Sequence, residues 1–143
     1  MNYLSNKKLV RKLDKEQLIS KAAEAARKAY APYSNFHVGA ALITKSGKIY
    51  LGANIENSSY GLTICAERTA AFSAILEGEK EFDAIAIVSD SEDFTPPCGA
   101  CRQVLSELCG KDLSVIMNNK KGEIKEMTLE ELLPFSFDKE NLE

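Results

Sequence analysis

The chain has 143 residues, the length of one ordinary domain. Hydrophobic residues at 45% and charged residues at 27% exclude a disordered tail, which could not bury enough apolar surface to offset chain entropy. A formal net charge of -3 offers no basic footprint to a nucleic acid, and no apolar run approaches the roughly 20 residues that span a bilayer.

Met1 to Lys15 carries charges but no apolar h-region or small-residue cleavage site. No secretory signal is visible, so the cytoplasm is the expected compartment. Four cysteines in such a chain suggest metal or catalysis before disulfides. Without repeats, low-complexity tracts or linkers, residues 1–143 are expected to form a single domain.

The first helix is expected to begin at Asp14, with an Asp14–Gln17 capping box and Leu13 stapled onto Leu18. Leu18, Ala22, Ala25 and Ala29 mark its apolar face, and Pro32 stops it. Val38 to Ile43 reads as a buried strand. Ser46-Gly47 turns the chain into a second, antiparallel strand over Lys48 to Ile55. A helix over about Cys65 to Glu77 ends at Gly78 and is apolar over much of its circumference. Ala84 to Val88 is a short strand. A third helix starts after Pro96-Pro97 and ends at Gly110. Strands at Leu113 to Met117 and about Glu123 to Met127 are joined by so short a turn that they must pair antiparallel. Thr128 and Glu131 form a last capping box, Met127 can staple onto Leu132, and Pro134 closes that helix. The order αββαβαββα predicts an α/β fold, a three-layer α/β/α sandwich around a mixed five-stranded sheet.

Two segments carry chemistry, Cys65-Ala66-Glu67-Arg68 and Pro96-Pro97-Cys98-Gly99-Ala100-Cys101. They place three cysteines at the starts of two helices, where the dipole and free N–H groups favour thiolates. Cys98 and Cys101 share one face at i and i+3. Cys65 joins them only if the two helices lie side by side. Three thiolates around zinc leave one position open, the mark of a catalytic site. Cys109 is about 12 Å along the helix from Cys101 and reads as core. Zinc with three thiolates carries a net charge of about -1, which hinders ionisation of a bound water. The helix N-termini offset part of this, and Arg68 can donate hydrogen bonds to the thiolates. Glu67 is the carboxylate adjoining the ligands and can act as general base.

Cys-Ala-Glu followed some thirty residues later by Pro-Cys-x-x-Cys is the three-cysteine form of a zinc-deaminase signature. The chain resembles the small homotetrameric cytidine deaminases of pyrimidine salvage. The resemblance runs from about Glu16 to Phe137. It includes Phe36-His37-Val38-Gly39-Ala40-Ala41-Leu42, Asn54-Ile55-Glu56-Asn57, Cys65-Ala66-Glu67-Arg68-Thr69-Ala70, Cys98-Gly99-Ala100-Cys101-Arg102-Gln103 and Glu131-Leu132-Leu133-Pro134. It implies that Cys65, Cys98 and Cys101 hold one zinc ion per subunit and that Glu67 shuttles protons. It implies that Asn54 and Glu56 bond the ribose, chiefly its 3′-hydroxyl, that Phe36 packs on the pyrimidine, and that the Ala66 backbone holds the base edge. Tyr60 and Phe137 match positions that line a neighbouring subunit's site. Cysteine rather than histidine at position 65 favours the free-nucleoside branch over the polynucleotide deaminases.

The implied reaction is hydrolytic deamination of cytidine and 2′-deoxycytidine to uridine and 2′-deoxyuridine, with release of ammonia. Other readings compete with it. The same chemistry serves deaminases of nucleoside antibiotics or modified cytidines. Cys98 and Cys101 could be a redox pair or part of a structural zinc module. Asn54 and Glu56, at i and i+2 of a predicted strand, would otherwise be a solvated face. Phe36, Tyr60 and Phe137 could be core or interface, and Arg68 a surface ion pair. His37, the only histidine, is expected to be structural rather than a ligand. Lys7, Lys8, Arg11, Lys12 and Lys15 lack interleaved aromatics and read as a solvated, mobile end rather than a nucleic-acid site.

Overall fold

The computed structural model describes residues 3–142, with side chains from Lys15 onward. Its elements are α1 (Tyr3–Ala26), β1 (Val38–Thr44), β2 (Ile49–Ala53), α2 (Ala66–Leu76), β3 (Phe82–Ser89), α3 (Gly99–Cys109), β4 (Ser114–Asn118), β5 (Ile124–Thr128) and α4 (Leu129–Leu132), with 3₁₀ turns at Tyr60–Leu62 and Lys139–Leu142. The sheet order is β2-β1-β3-β4-β5. β3 and β4 run parallel, and the other three pairs are antiparallel. The expected mixed sheet and the antiparallel β4–β5 pair are therefore both present.

Strand alternation sorts the core into two sides. Ala40, Leu42, Ile85, Ile87, Val115 and Met117 face α2 and α3. Ala41, Ala84, Ala86 and Ile116 form a second cluster with Leu18 and Ala22 of α1. The small residues on the α1 side let that helix come very close. A Cβ on Gly39 would stand 1.9 Å from the Ala22 carbonyl oxygen, and one on Gly52 would stand 2.2 Å from that of Ala66 in α2. Glycine at these two strand positions therefore sets how closely α1 and α2 approach the sheet.

Three boundaries differ from the expectation. α1 starts at Tyr3, so Asp14 lies inside it and no helix starts at the Asp14–Gln17 pair. Nothing between Tyr3 and Leu13 is Pro or Gly, and Lys, Arg and Leu propagate helix well. The side chains of Leu13 and of Lys7, Lys8, Arg11 and Lys12 lie outside the described residues; Lys15 forms an ion pair with Glu126. α1 also ends at Ala26, before Pro32, because the next backbone is taken by another partner. Tyr30 N–H donates to the Asn54 carbonyl at 3.0 Å, and Glu56 N–H donates to the Tyr30 carbonyl at 2.8 Å. For the same reason β2 stops at Ala53 and Asn54 to Glu56 leave the ladder. At the other end of the chain the Thr128–Glu131 capping box forms in both directions. Among the described residues, no helix is long and apolar enough to cross a membrane.

Candidate active site

Cys65 and Cys98 occupy the N-cap positions of α2 and α3, both with extended backbone. Neither side chain caps its own helix. Each carbonyl opens its helix instead, Cys65 accepting from Thr69 N at 3.1 Å and Cys98 from Arg102 N at 2.9 Å. Cys101 is the third residue of α3, the position whose side chain folds back beside the N-cap. α2 and α3 lie side by side, so all three sulfurs converge within 4.8 Å of one another. The Cys65 and Cys98 sulfurs are 3.8 Å apart. Zinc–sulfur bonds of about 2.3 Å in a tetrahedron separate their sulfurs by about 3.8 Å. The donor set therefore fits zinc with one position left open. Cys109 stands apart, half-buried against the core, and burial pushes its thiol up to about 12.

The charges around the sulfurs are unevenly shared. A hydrogen bond from Cys101, helped by Arg68 and Cys98, lowers the Cys65 thiol to about 5 despite its burial. Cys101 moves the opposite way, first through that same bond and then through burial and the Glu67 charge. Negative charge therefore falls on Cys65 before Cys101, which holds its proton more tightly. Arg68 Nη2 lies 3.5 Å from Cys65 Sγ, and this contact raises the guanidinium further above its ordinary value. Among the described residues, the buried Arg68 Nε has no hydrogen-bond partner.

Glu67 is the second residue of α2 and only 4% exposed. Its Oε2 lies 3.5 Å from Cys101 Sγ. Burial pushes its carboxyl up, and the Cys65 charge adds to that. Ala66 is fully buried at the first position of α2. A buried carboxylate of raised basicity beside a three-sulfur donor set is suited to general acid–base work.

Asn54 and Glu56 both turn onto the segment from Tyr33 to Val38. Asn54 is buried; its Oδ1 accepts from Val38 N at 2.9 Å and its Nδ2 donates to the Phe36 carbonyl at 2.8 Å. Glu56 accepts from the backbone N–H groups of Tyr33 and Ser34 at 3.0 and 3.2 Å. Phe36 packs partly buried against the main core. Both polar residues thus shape the Phe36 loop, a role that alternation along a strand does not reveal. His37 is half-exposed, and its backbone N–H and Nδ1 both meet Asp90 Oδ2 at 2.8 Å. It joins β1 to the end of β3 and takes no part in the sulfur cluster.

Tyr60 and Phe137 lie on the surface, 75% and 61% exposed. Tyr60 meets Tyr33 edge-on, with centroids 6.1 Å apart. Phe137 is held through its backbone, whose carbonyl accepts from Gln103 Nε2 at 2.9 Å. The preceding residue of α3, Arg102, donates to the carbonyls of Pro97 at 2.8 Å and Leu132 at 2.7 Å. Sequence reasoning missed Arg102 and Ser34. The only available signals were an arginine following a ligand and a Pro-Tyr-Ser-Asn turn cluster.

A family model described as the cytidine and deoxycytidylate deaminase zinc-binding region matches residues 12–117. The chain belongs to this deaminase family. The matched region contains Phe36, Asn54, Glu56, Glu67 and the three cysteines, and stops short of Phe137. A cytidine deaminase from Halalkalibacterium halodurans is 53% identical over 91% of this chain and 98% of its own length. The crystal structure of cytidine deaminase from Burkholderia pseudomallei aligns at a TM-score of 0.83 and 50% identity, over 85% of this chain and 98% of that one. A blasticidin-S deaminase from Bacillus cereus is 35% identical over 85% of this chain and 90% of its own length. Zinc binding by this deaminase accords with its cluster of three sulfurs.

Proposed function

We propose that the protein deaminates cytidine and 2′-deoxycytidine hydrolytically, producing uridine or 2′-deoxyuridine and ammonia. The observation that carries this reading is the Glu67 carboxylate 3.5 Å from a ligand sulfur, inside a three-sulfur cluster. Cys65, Cys98 and Cys101 would hold zinc, which would supply the Lewis acidity that lets a water ionise near neutral pH. Glu67 takes a proton from the attacking water and gives it to N3 of the pyrimidine as the water oxygen bonds C4. Glu67 then takes the proton of the new C4 hydroxyl and passes it to the amino group, which leaves as ammonia as the C4 carbonyl forms. Arg68 offsets the charge of the Cys65 thiolate. The first turn of α2, at Ala66, offers backbone groups to the base edge. Asn54 and Glu56 hold the sugar, and Phe36 packs against the ring. Cytidine is favoured over an antibiotic nucleoside by the identities, 53% against 35%.

The proposed assembly is a homotetramer in which Tyr60 and Phe137 complete a neighbour's site. Its support is a set of large apolar side chains left exposed on the surface. Leu62, Phe72, Ile75, Leu76 and Phe135 are exposed together with those two aromatics. The proposed setting is pyrimidine salvage in the cytoplasm, where thiols stay reduced. Residues 1–143 act as one catalytic domain in this reading. The test is an ultraviolet time course with cytidine in which ammonia is counted in the same tube. Loss of cytidine matched mole for mole by ammonia is expected. Zinc-loaded protein that leaves cytidine intact but consumes blasticidin S would move the substrate to the antibiotic class.

A further inference from the structure

Between α1 and β1, the turn from Tyr33 to Phe36 is built around one hydroxyl. Ser34 Oγ donates to Glu56 Oε2 at 2.5 Å and accepts from the Phe36 backbone N–H at 3.0 Å. The proton assignment is forced, because an amide N–H can only donate and a carboxylate can only accept. Ser34 also gives its own backbone N–H to Glu56 Oε1, which accepts from Tyr33 as well. Next along, Asn35 is held at φ 54, in the left-handed region that asparagine tolerates better than most residues. Its N–H donates to the Ala31 carbonyl at 3.0 Å, closing the turn.

Counting lone pairs shows what remains for a ligand. Glu56 Oε1 is filled by two backbone donors, and Oε2 keeps one lone pair beside the Ser34 hydroxyl. Among the described residues, Asn54 keeps one amide N–H after bonding Phe36. A substrate hydroxyl lying between them would donate to Glu56 and accept from Asn54. Rotation of the Glu56 carboxyl would destroy that match, and three bonds from Tyr33 and Ser34 prevent it. The Ser34 bond is also the largest influence lowering the Glu56 carboxyl, so the acceptor stays ionised.

We infer that Ser34 is a positioning residue that locks the sugar-side carboxylate, Glu56, to the ring-side wall, Phe36, so that sugar recognition and base placement share one hydroxyl. This rests on the nucleoside reading given above. It assigns Ser34 no contact with the reacting atoms. Loss of the hydroxyl therefore weakens substrate capture and leaves the chemical step intact.

The test measures kcat and KM for the parent, Ser34→Ala and Ser34→Thr on cytidine and on 3′-deoxycytidine. The parent is expected to prefer cytidine by at least about tenfold, the discrimination of a site built to bond a hydroxyl. Ser34→Ala is expected to raise KM for cytidine about tenfold, the usual effect of losing a bond to a charged group, with kcat nearly unchanged. Its preference for cytidine over the deoxy analogue should shrink towards unity. Ser34→Thr should restore both. If Ser34→Ala does not fold, Ser34→Cys is read in its place, since a thiol keeps the size but donates weakly. A folded Ser34→Ala that keeps the parent's discrimination overturns the inference, as does a loss confined to kcat. A parent indifferent to the 3′-hydroxyl removes the sugar role of Glu56 itself, and the inference falls with it. A parent inactive on cytidine overturns the nucleoside reading instead.

Discussion

The Cys101 thiol and the Glu67 carboxylate are hydrogen-bonded partners, 3.5 Å apart. Cys101 has a single thiol proton, for which Cys65 and Glu67 are both acceptors. Giving that proton up to bind metal removes the donor and frees Glu67 Oε2 to accept from water. Cys101 and the proposed proton shuttle, Glu67, are thus linked through one proton.

Glu67→Gln preserves an oxygen for the Cys101 thiol but cannot carry a proton. Zinc content and fold should be retained while turnover falls by about 10²- to 10⁴-fold or more. Metal analysis beside the activity assay checks this, and activity near the parent's would remove Glu67 as the shuttle. Stability should move the other way. Burial raises the Glu67 carboxyl, so its ionisation opposes folding. That contribution is harmless below the ordinary pKa and grows as pH rises through the raised one. Metal-free Glu67→Gln should therefore melt higher than the metal-free parent at alkaline pH.

Zinc uptake should release protons and tighten with rising pH. Cys65 sits at about 5 and is already a thiolate at pH 7. Cys101 is raised, so protons compete with zinc for it throughout the neutral range. Calorimetry of the metal-free protein in buffers of different ionisation enthalpy would count the protons. An affinity independent of pH across about pH 6 to 8 would contradict the assignment. Chelator treatment should abolish activity and expose the cluster thiols to titration, and zinc should reverse both.

Arg68→Ala removes the guanidinium 3.5 Å from Cys65 Sγ. The expected loss is about 10- to 100-fold in activity or zinc affinity, the usual range for groups that bond a metal's ligands. Zinc retention against a chelator and kcat should be measured together. A variant unchanged in both would make Arg68 an ordinary ion-pair residue.

Composite sites can be tested by mixing inactive partners. Glu67→Gln subunits retain Phe137, and Phe137→Ala subunits retain Glu67. After subunit exchange in the proposed tetramer, about a quarter of the sites combine an intact pair. Activity should rise above that of either variant alone. No recovery, with exchange shown by mass spectrometry, would place Phe137 outside the neighbour's site.

Gly52→Ala should disrupt the packing of α2 on β2. The new Cβ would meet the Ala66 carbonyl oxygen at 2.2 Å and the Ala70 nitrogen at 2.4 Å, both backbone atoms. Overpacking of this kind costs about 1–3 kcal/mol, occasionally more. Thermal melting checks it, and an unchanged midpoint would show that α2 can withdraw freely.

The metal cluster was legible in the sequence because each part of it is local. An N-cap cysteine followed by a cysteine three residues on describes one turn of α3, and Pro97 marks where that turn begins. Pairing with Cys65 required only that two helices adjoin. Ser34 was not legible, because its role depends on Glu56, 22 residues away and beyond the end of a strand. The start of α1 was misplaced because Asp14 and Gln17 imitate a capping box inside a continuous helix. Its end was misplaced because the pairing of Tyr30 with Asn54 and Glu56 overrides the stop at Pro32.

The backbone of the C-terminal segment is tethered at Leu132 by Arg102 and at Phe137 by Gln103, and Lys111 pairs with Asp138 at 3.0 Å. Phe135 and Phe137 are therefore presented on a braced arch rather than on a loose tail. Docking such an arch immobilises little that was previously free, so most of its ordering entropy is settled during folding and not at association. Subunits meeting through it should join with a small entropic penalty and separate slowly.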